Sequence, residues 1–378
     1  MITAKAAHSK EGNMTKVFNV GKTPDQYREG KSLFFGPDPG LFDTLNKPYP
    51  RLWSIYKTMK SLDWSEDEFD YTQCNLDFKN CPKPVYDMMI RTLAWQWEAD
   101  SVASRAIAPV LAPFITDSTL WAAWQRISDN EVIHAATYSE IVRMSFDNPE
   151  LVLADILAVK ESLVRLTSVK TVFDRLYQAS HKYALGQITP DEAYDDLFMG
   201  VVALLLLERV QFMASFSITF TICGTNWFQP IGKAVQKIAQ DELEVHVDID
   251  KEVIRIELGT KRGQEAYARL KPRIKELCDE IVEAELTWTD YLFSEGRELV
   301  GTNAKIVKQW VLFNARDVYD FLDIPTDHKF PKQNPMPHLE DWINIGKSQA
   351  APQEQDNNQY KVGTIVRDDD QKEFDVDF

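Results

Sequence analysis

The chain has 378 residues, 44% of them apolar and 26% charged, and its 42 basic and 58 acidic side chains leave a net charge of −16. This length can bury a sizeable core, and the acidic balance argues against nucleic acid and against an anionic membrane face, since both need a basic partner. The longest apolar run, Phe198 to Leu207, is ten residues, short of the roughly 20 that span a bilayer; MITAKAAHSKEGN at the start has no apolar secretory core, and four scattered cysteines suit a reducing cytosol, so a cytoplasmic protein is expected.

Residues 1–45 read as an irregular arm, polar and turn-rich, with FFGPDPG from Phe34 to Gly40. From residue 46 apolar residues recur at three- and four-residue steps, the period of a helix, and residues 46–345 read as one helical bundle domain. A first long helix starts near Pro84 and a second covers about 117–146, opened by Asp117 or Ser118 as N-cap. A third covers about 150–185; a fourth, about 190–223, has the start signal Thr189-Pro190-Asp191-Glu192. A fifth runs from about 229 to 258 and stops at Gly259; two more cover about 263–297 and 302–322, with Pro325 beyond. No period-two run or hairpin signal predicts a strand, so the fold class is all-α, a bundle of long helices with short links. Residues 346–378 read as a flexible acidic tail: between 351 and 378 there are eight acids, three bases and the aromatic residues Tyr360, Phe374 and Phe378. Such a tail is either a solvated end or a docking segment.

Polar residues that interrupt apolar helix faces carry the chemistry. Glu208 lies in VVALLLLERVQFMASFSITF, where a carboxylate is costly unless paired or bound to a metal; Arg209 points about 100° away and cannot pair with it on one face. Glu131 and His134 in ISDNEVIHAATYSEI are three apart and share a face, though a lone Glu-x-x-His arises often by chance. Glu242 and His246 in IAQDELEVHVDID are four apart, in a stretch crowded enough with acids to be a solvent-facing helix. Asp100 follows a tryptophan-rich apolar turn in LAWQWEADSVASR. Each group falls on a different predicted helix, and together they match the set that ferritin-like bundles use for a carboxylate-bridged dimetal site: a carboxylate from each of two helices and a carboxylate–histidine pair from each of two others. Oxygen and imidazole donors suit iron or manganese. Tyr138, four after His134, projects on the same side; Phe212 and Phe216, four and eight after Glu208, continue that carboxylate's face. All three would otherwise be ordinary core residues.

These segments, together with WTDYLFSEG, the NPMP and DWI stretch and the tail APQEQ to QYKVG, resemble the small, radical-generating subunit of class I ribonucleotide reductase, most closely its bacterial and phage diiron-tyrosyl type, over roughly residues 30–378. The resemblance implies that Asp100, Glu131 and His134 serve one iron and Glu208, Glu242 and His246 the other, with Glu131 and Glu242 bridging. It implies an oxo-bridged pair of iron ions, manganese being acceptable to the same donors, and a radical on Tyr138 within an apolar wall of Phe212 and Phe216. Trp64, in SLDWSEDEFD, and Asp241 match the start of the family's radical-transfer route; Tyr360 and Glu354 match its tail. The implied partner is a separate large subunit, docked through the C-terminal tail, which reduces ribonucleotides; a homodimer and a cytoplasmic site (the host's, for a phage chain) go with it. One departure stands out. The family's second pair is Glu-x-x-His, whereas Glu242 and His246 are separated by three residues, which predicts a one-residue helix bulge. On a regular helix Glu244 faces away from His246 and is the poorer ligand. Two other readings compete: a diiron oxidase or desaturase of the same bundle acting directly on an organic substrate, and a helical scaffold or metal store.

Overall fold

The computed structural model describes residue 25, residues 32–36 and residues 41–343. The expected tail, with Glu354 and Tyr360, and most of the arm lie outside the described residues. Among the described residues there is no strand, only two isolated bridges, Phe34–Ile115 and Leu299–Thr302.

Two helices precede those expected. Helix α1 (Pro50–Ser61) buries Leu52, Ile55 and Met59 at three- and four-residue steps, and α2 (Cys74–Asn80) follows a short 3₁₀ turn at Glu66–Glu68. Helices α3 (Lys83–Leu111) and α4 (Ser118–Ser145) fall where periodicity puts them. Asp117 caps α4: one carboxylate oxygen accepts from the Thr119 and Leu120 amides at 2.9 Å, meeting two of the donors that a helix start leaves unpaired. The two helices pack together, and Ala108, beside the interior Pro109, donates its amide to Ser128 Oγ at 2.9 Å.

The single helix expected over 150–185 is three: α5 (Pro149–Leu157), α6 (Lys160–Arg165) and α7 (Thr167–Ala184). No glycine or proline marks the breaks. Tertiary contacts accompany them instead, with Ser162 bonded to Glu98 and Arg165 turned into the core against Glu285. Helix α8 (Pro190–Leu206) opens on a Thr189–Glu192 capping box and continues through a π-helical turn, Leu207–Gln211, into α9 (Met213–Cys223). Helix α10 (Gln229–Gln240) likewise passes through a π-helical stretch, Asp241–His246, into α11 (Val247–Leu258). Helix α12 (Lys261–Leu292) ends earlier than periodicity suggests, before Glu295 and Gly296 take up positive φ. Helix α13 (Ala304–Phe321) and the short α14 (Glu340–Ile343) complete the described chain.

Helix α3 packs on α4 and α9, and α8 on α7, α11 and α12. The ten-residue apolar run belongs to a continuous helical path, Pro190–Cys223, which among the described residues is long and apolar enough to cross a membrane. Its apolar window is 94% buried inside the bundle, as in the central helix of a large core. Of the expected arm, Leu33 and Phe34 are core residues, 0% and 1% exposed. Phe34 stacks on Trp124 at 5.7 Å, and the Leu33 carbonyl accepts from the Thr116 amide at 2.9 Å.

Candidate metal centre

Six side chains from four helical segments converge in the interior. Ligand atoms of Asp100, Glu131, His134 and Glu242 lie within 4.8 Å of one another, and so do those of Glu131, Glu208, Glu242 and His246. Glu131 and Glu242 belong to both groups, the arrangement of bridging carboxylates. His134 Nδ1 stands 3.1 Å from Glu242, 3.7 Å from Glu131 and 4.0 Å from Asp100. His246 Nδ1 stands 2.9 Å from Glu242 and 3.5 Å from Glu131.

Local structure explains the convergence. Glu131 and His134 meet on α4 because residues three apart share a helix face. Glu242 and His246 sit in the π-helical stretch, which takes up the extra residue, as their spacing predicts. Glu244, the poorer candidate, is exposed. Glu208 sits in the other π turn, which no sequence signal marks. Its neighbour Arg209 points elsewhere, bonding Asp317 at 2.9 Å.

The donor set fits a pair of divalent cations. Both oxygens of Asp100 and Glu131, one each of Glu208 and Glu242, and His134 Nδ1 are buried without a hydrogen-bond partner. Leaving so many acceptors unmet in a protein core is costly unless something positive meets them. No lysine or arginine pairs with these four carboxylates among the described residues; the only ion-pair partners they have are the two imidazoles.

The protonation pattern of the metal-free cluster follows from this crowding. Burial, then the charge of Glu131, holds Asp100 well above the usual carboxylate range, and burial, then Glu242, does the same to Glu208. Burial also opposes ionisation of Glu242, but His246 and hydrogen bonds from its neighbours outweigh that and hold it well below the usual range. Burial disfavours both charged imidazoles; hydrogen bonds to Asp241, Glu131 and Glu242 nevertheless raise His134, and Glu242 and Glu131 raise His246 to about 10.

Beyond these six residues, one oxygen of Asp241 accepts the Trp64 indole N–H at 2.7 Å and stands 3.1 Å from His134 Nε2. The Trp64 and His134 rings stack at 5.9 Å. Trp64, Asp241 and His134 thus form a continuous chain leading out from the cluster. Tyr138 is fully buried, and its hydroxyl has no hydrogen-bond partner. Burial, then the charges of Asp100, Glu242 and Glu131, push its pKa well above that of an ordinary phenol. Phe212 and Phe216 are buried and stack at 5.4 Å, with Phe212 6.0 Å from Trp95. The π turn between Glu208 and Phe212 removes the regular-helix relation from which their shared face was expected.

Two residues escape the sequence reading. Asn130, buried beside Glu131, places its amide nitrogen 3.3 Å from His246 Nε2. Asp250, four residues after His246, is buried, and burial pushes its carboxyl up to about 8. Its spacing from His246 is the available signal, masked by the surrounding acids, of which Asp248 is far more exposed.

The family described as "Ribonucleotide reductase, small chain" matches residues 42–335. The ribonucleoside-diphosphate reductase subunit beta of Haemophilus influenzae is 25% identical over 374 residues, covering 93% of this chain and 96% of that protein. The ribonucleotide reductase R2 subunit from Clostridium botulinum superposes with a TM-score of 0.76 at 16% identity, covering 88% of this chain and 99% of that one. The dimanganese(II)-NrdF of Streptococcus sanguinis superposes with a TM-score of 0.61 at 16% identity, covering 80% and 98%.

Proposed function

The chain belongs to the ribonucleotide reductase small-chain family, and from that premise we propose that its cluster of Asp100, Glu131, His134, Glu208, Glu242 and His246 holds two metal ions that generate a radical on Tyr138. As the small subunit of a ribonucleoside-diphosphate reductase it works with a large subunit. The observation that carries the reading is a set of buried, unpartnered carboxylate oxygens beside a buried, unpartnered phenol.

When bound, the metal pair supplies oxygen activation, and hence the oxidant that a phenol requires. Tyr138, fully buried and with no hydrogen-bond partner for its hydroxyl, would be the group oxidised, losing one electron and its phenolic proton together. The dry surroundings keep the resulting neutral phenoxyl from side reactions with water. Phe212 and Phe216 form part of that apolar wall. Trp64, Asp241 and His134 carry the equivalent outward, Asp241 holding the indole proton and the imidazole in one hydrogen-bonded chain. Tyr360 hands it across to the large subunit, which the acidic tail, Glu354 included, engages.

We assign iron as the metal. The oxygen and nitrogen donors accept manganese equally, and the Streptococcus sanguinis neighbour is a dimanganese protein; metal analysis of the purified protein should find iron. We assign a homodimer as well, as the family resemblance implies.

Tyr138→Phe tests the function. Nucleotide reduction by the assembled two-subunit enzyme should fall to background while both metal ions remain. Stability should move by less than about 1 kcal/mol, because the deleted hydroxyl has no partner to lose. Retained turnover would refute the radical role.

A further inference from the structure

Arg165 and Glu285 form an ion pair in the core, 3% and 0% exposed. A pair so placed is weak evidence of stabilisation, because desolvation can exceed the attraction, so its other bonds are informative. All of them close on one short segment. An Arg165 Nη2 hydrogen bond goes to the Gln211 carbonyl, and the Gln211 side chain returns one from Nε2 to the Arg165 carbonyl at 2.8 Å. Glu285 Oε1 accepts the Ala214 amide at 3.1 Å. Ser215 Oγ lies 3.5 Å from Arg165 Nη1 and accepts the Trp288 indole N–H at 3.2 Å. The guanidinium is sandwiched between the rings of Trp95, 3.7 Å away, and Trp288, 4.5 Å away.

That segment is the junction where the Leu207–Gln211 π turn returns to the α register of α9. In an uninterrupted α-helix the Gln211 carbonyl would accept from residue 215 and the Ala214 amide would donate to residue 210. The π turn disturbs this ladder, and charged side chains meet both groups. Glu208 lies within the same turn, three residues before Gln211. Relaxation to a plain α register would rotate Glu208 relative to α9 by one residue step, about 100°, away from the cluster.

We propose that Arg165 and Glu285 are positioning residues that hold this π turn in register and so fix Glu208 in the second metal site. The proposal deepens the metal-site reading and rests on it. It also explains why the expected long helix over 150–185 breaks where it does: α6 ends on Arg165 with its side chain inside the bundle.

The test is a manganese(II) titration of the metal-free full chain, following free ion by electron paramagnetic resonance, with thermal unfolding in parallel. The wild type should bind two ions. In the double variant Arg165→Met with Glu285→Met, a swap of buried ion pair for apolar groups that proteins often tolerate without loss of stability, one site should remain and the other weaken by about 10- to 100-fold. Arg165→Lys, which keeps the charge and a donor, should bind both ions with a smaller loss at the second. Wild-type affinity at both sites in the double variant would overturn the proposal. So would equal weakening of both sites with a lowered unfolding temperature, the mark of a merely structural pair. If the double variant does not fold, unchanged second-site affinity in Arg165→Lys overturns it and selective weakening supports it. A wild-type chain that binds no manganese would instead fail the metal-site reading itself.

Discussion

Asp241 joins two parts of the site through a single oxygen, which takes the Trp64 indole proton at 2.7 Å and lies 3.1 Å from His134 Nε2. An imidazole whose far nitrogen is tied to a carboxylate presents the other to the cluster in a fixed orientation, the usual device around metal-ligating histidines. Protonation at this scale has a measurable sign. His246 titrates at about 10, against 6.5 for a free imidazole. Its raised value therefore stabilises the metal-free fold, fully below pH 6.5, and that contribution is lost as pH rises through about 10. A metal ion must displace this proton to reach the imidazole. Loading the metal-free chain at pH 7 in weak buffer should release protons, and apparent affinity should climb about tenfold per pH unit for each proton displaced. Uptake with no proton release, read by a pH indicator, would contradict the assigned ligand. Single-residue candidates were partly legible: the six candidate ligands can be picked out as polar groups on predicted helices, whereas Trp64 and Asp241 came only through the family resemblance. Asn130 and Asp250 were not legible, because an asparagine and one acid among many carry no mark of burial.

At the level of elements, two π-helical turns shape the centre, and they differ in how visible they are. The turn over Asp241–His246 is written in the spacing of Glu242 and His246, since one residue too many for a regular helix has to be absorbed. The turn over Leu207–Gln211 leaves no such trace, because its reason lies in Arg165 and Glu285, which bond to residues 211 and 214 from other helices. The breaks between α5, α6 and α7 were hidden for the same reason: tertiary pairs, not glycine or proline, accompany them. The first turn can be tested directly. Deleting the exposed Glu244 should restore a regular helix with the carboxylate and histidine three apart, as in Glu131 and His134. The shortened chain should still bind two metal ions. Loss of the second ion would show that the bulge itself, beyond the face it presents, is needed.

For the molecule as a whole, periodicity and the shortage of breakers lead to the helical bundle, and the apolar stretch around Glu208 to its central helix. Burial of 94% of that helix's apolar window shows why a carboxylate there needs a positive partner. The arm was harder to read: Leu33 and Phe34 are core residues in a polar, turn-rich sequence, anchored by contacts with Trp124 and Thr116 that local pattern does not reveal. The most direct measurement of the whole account is low-temperature electron paramagnetic resonance of the metal-free protein after addition of ferrous ion and air, with metal analysis of the same sample. Two ions per chain and a tyrosyl signal that disappears in Tyr138→Phe are expected. Two bound ions without that signal, or a signal that survives the substitution, would contradict it.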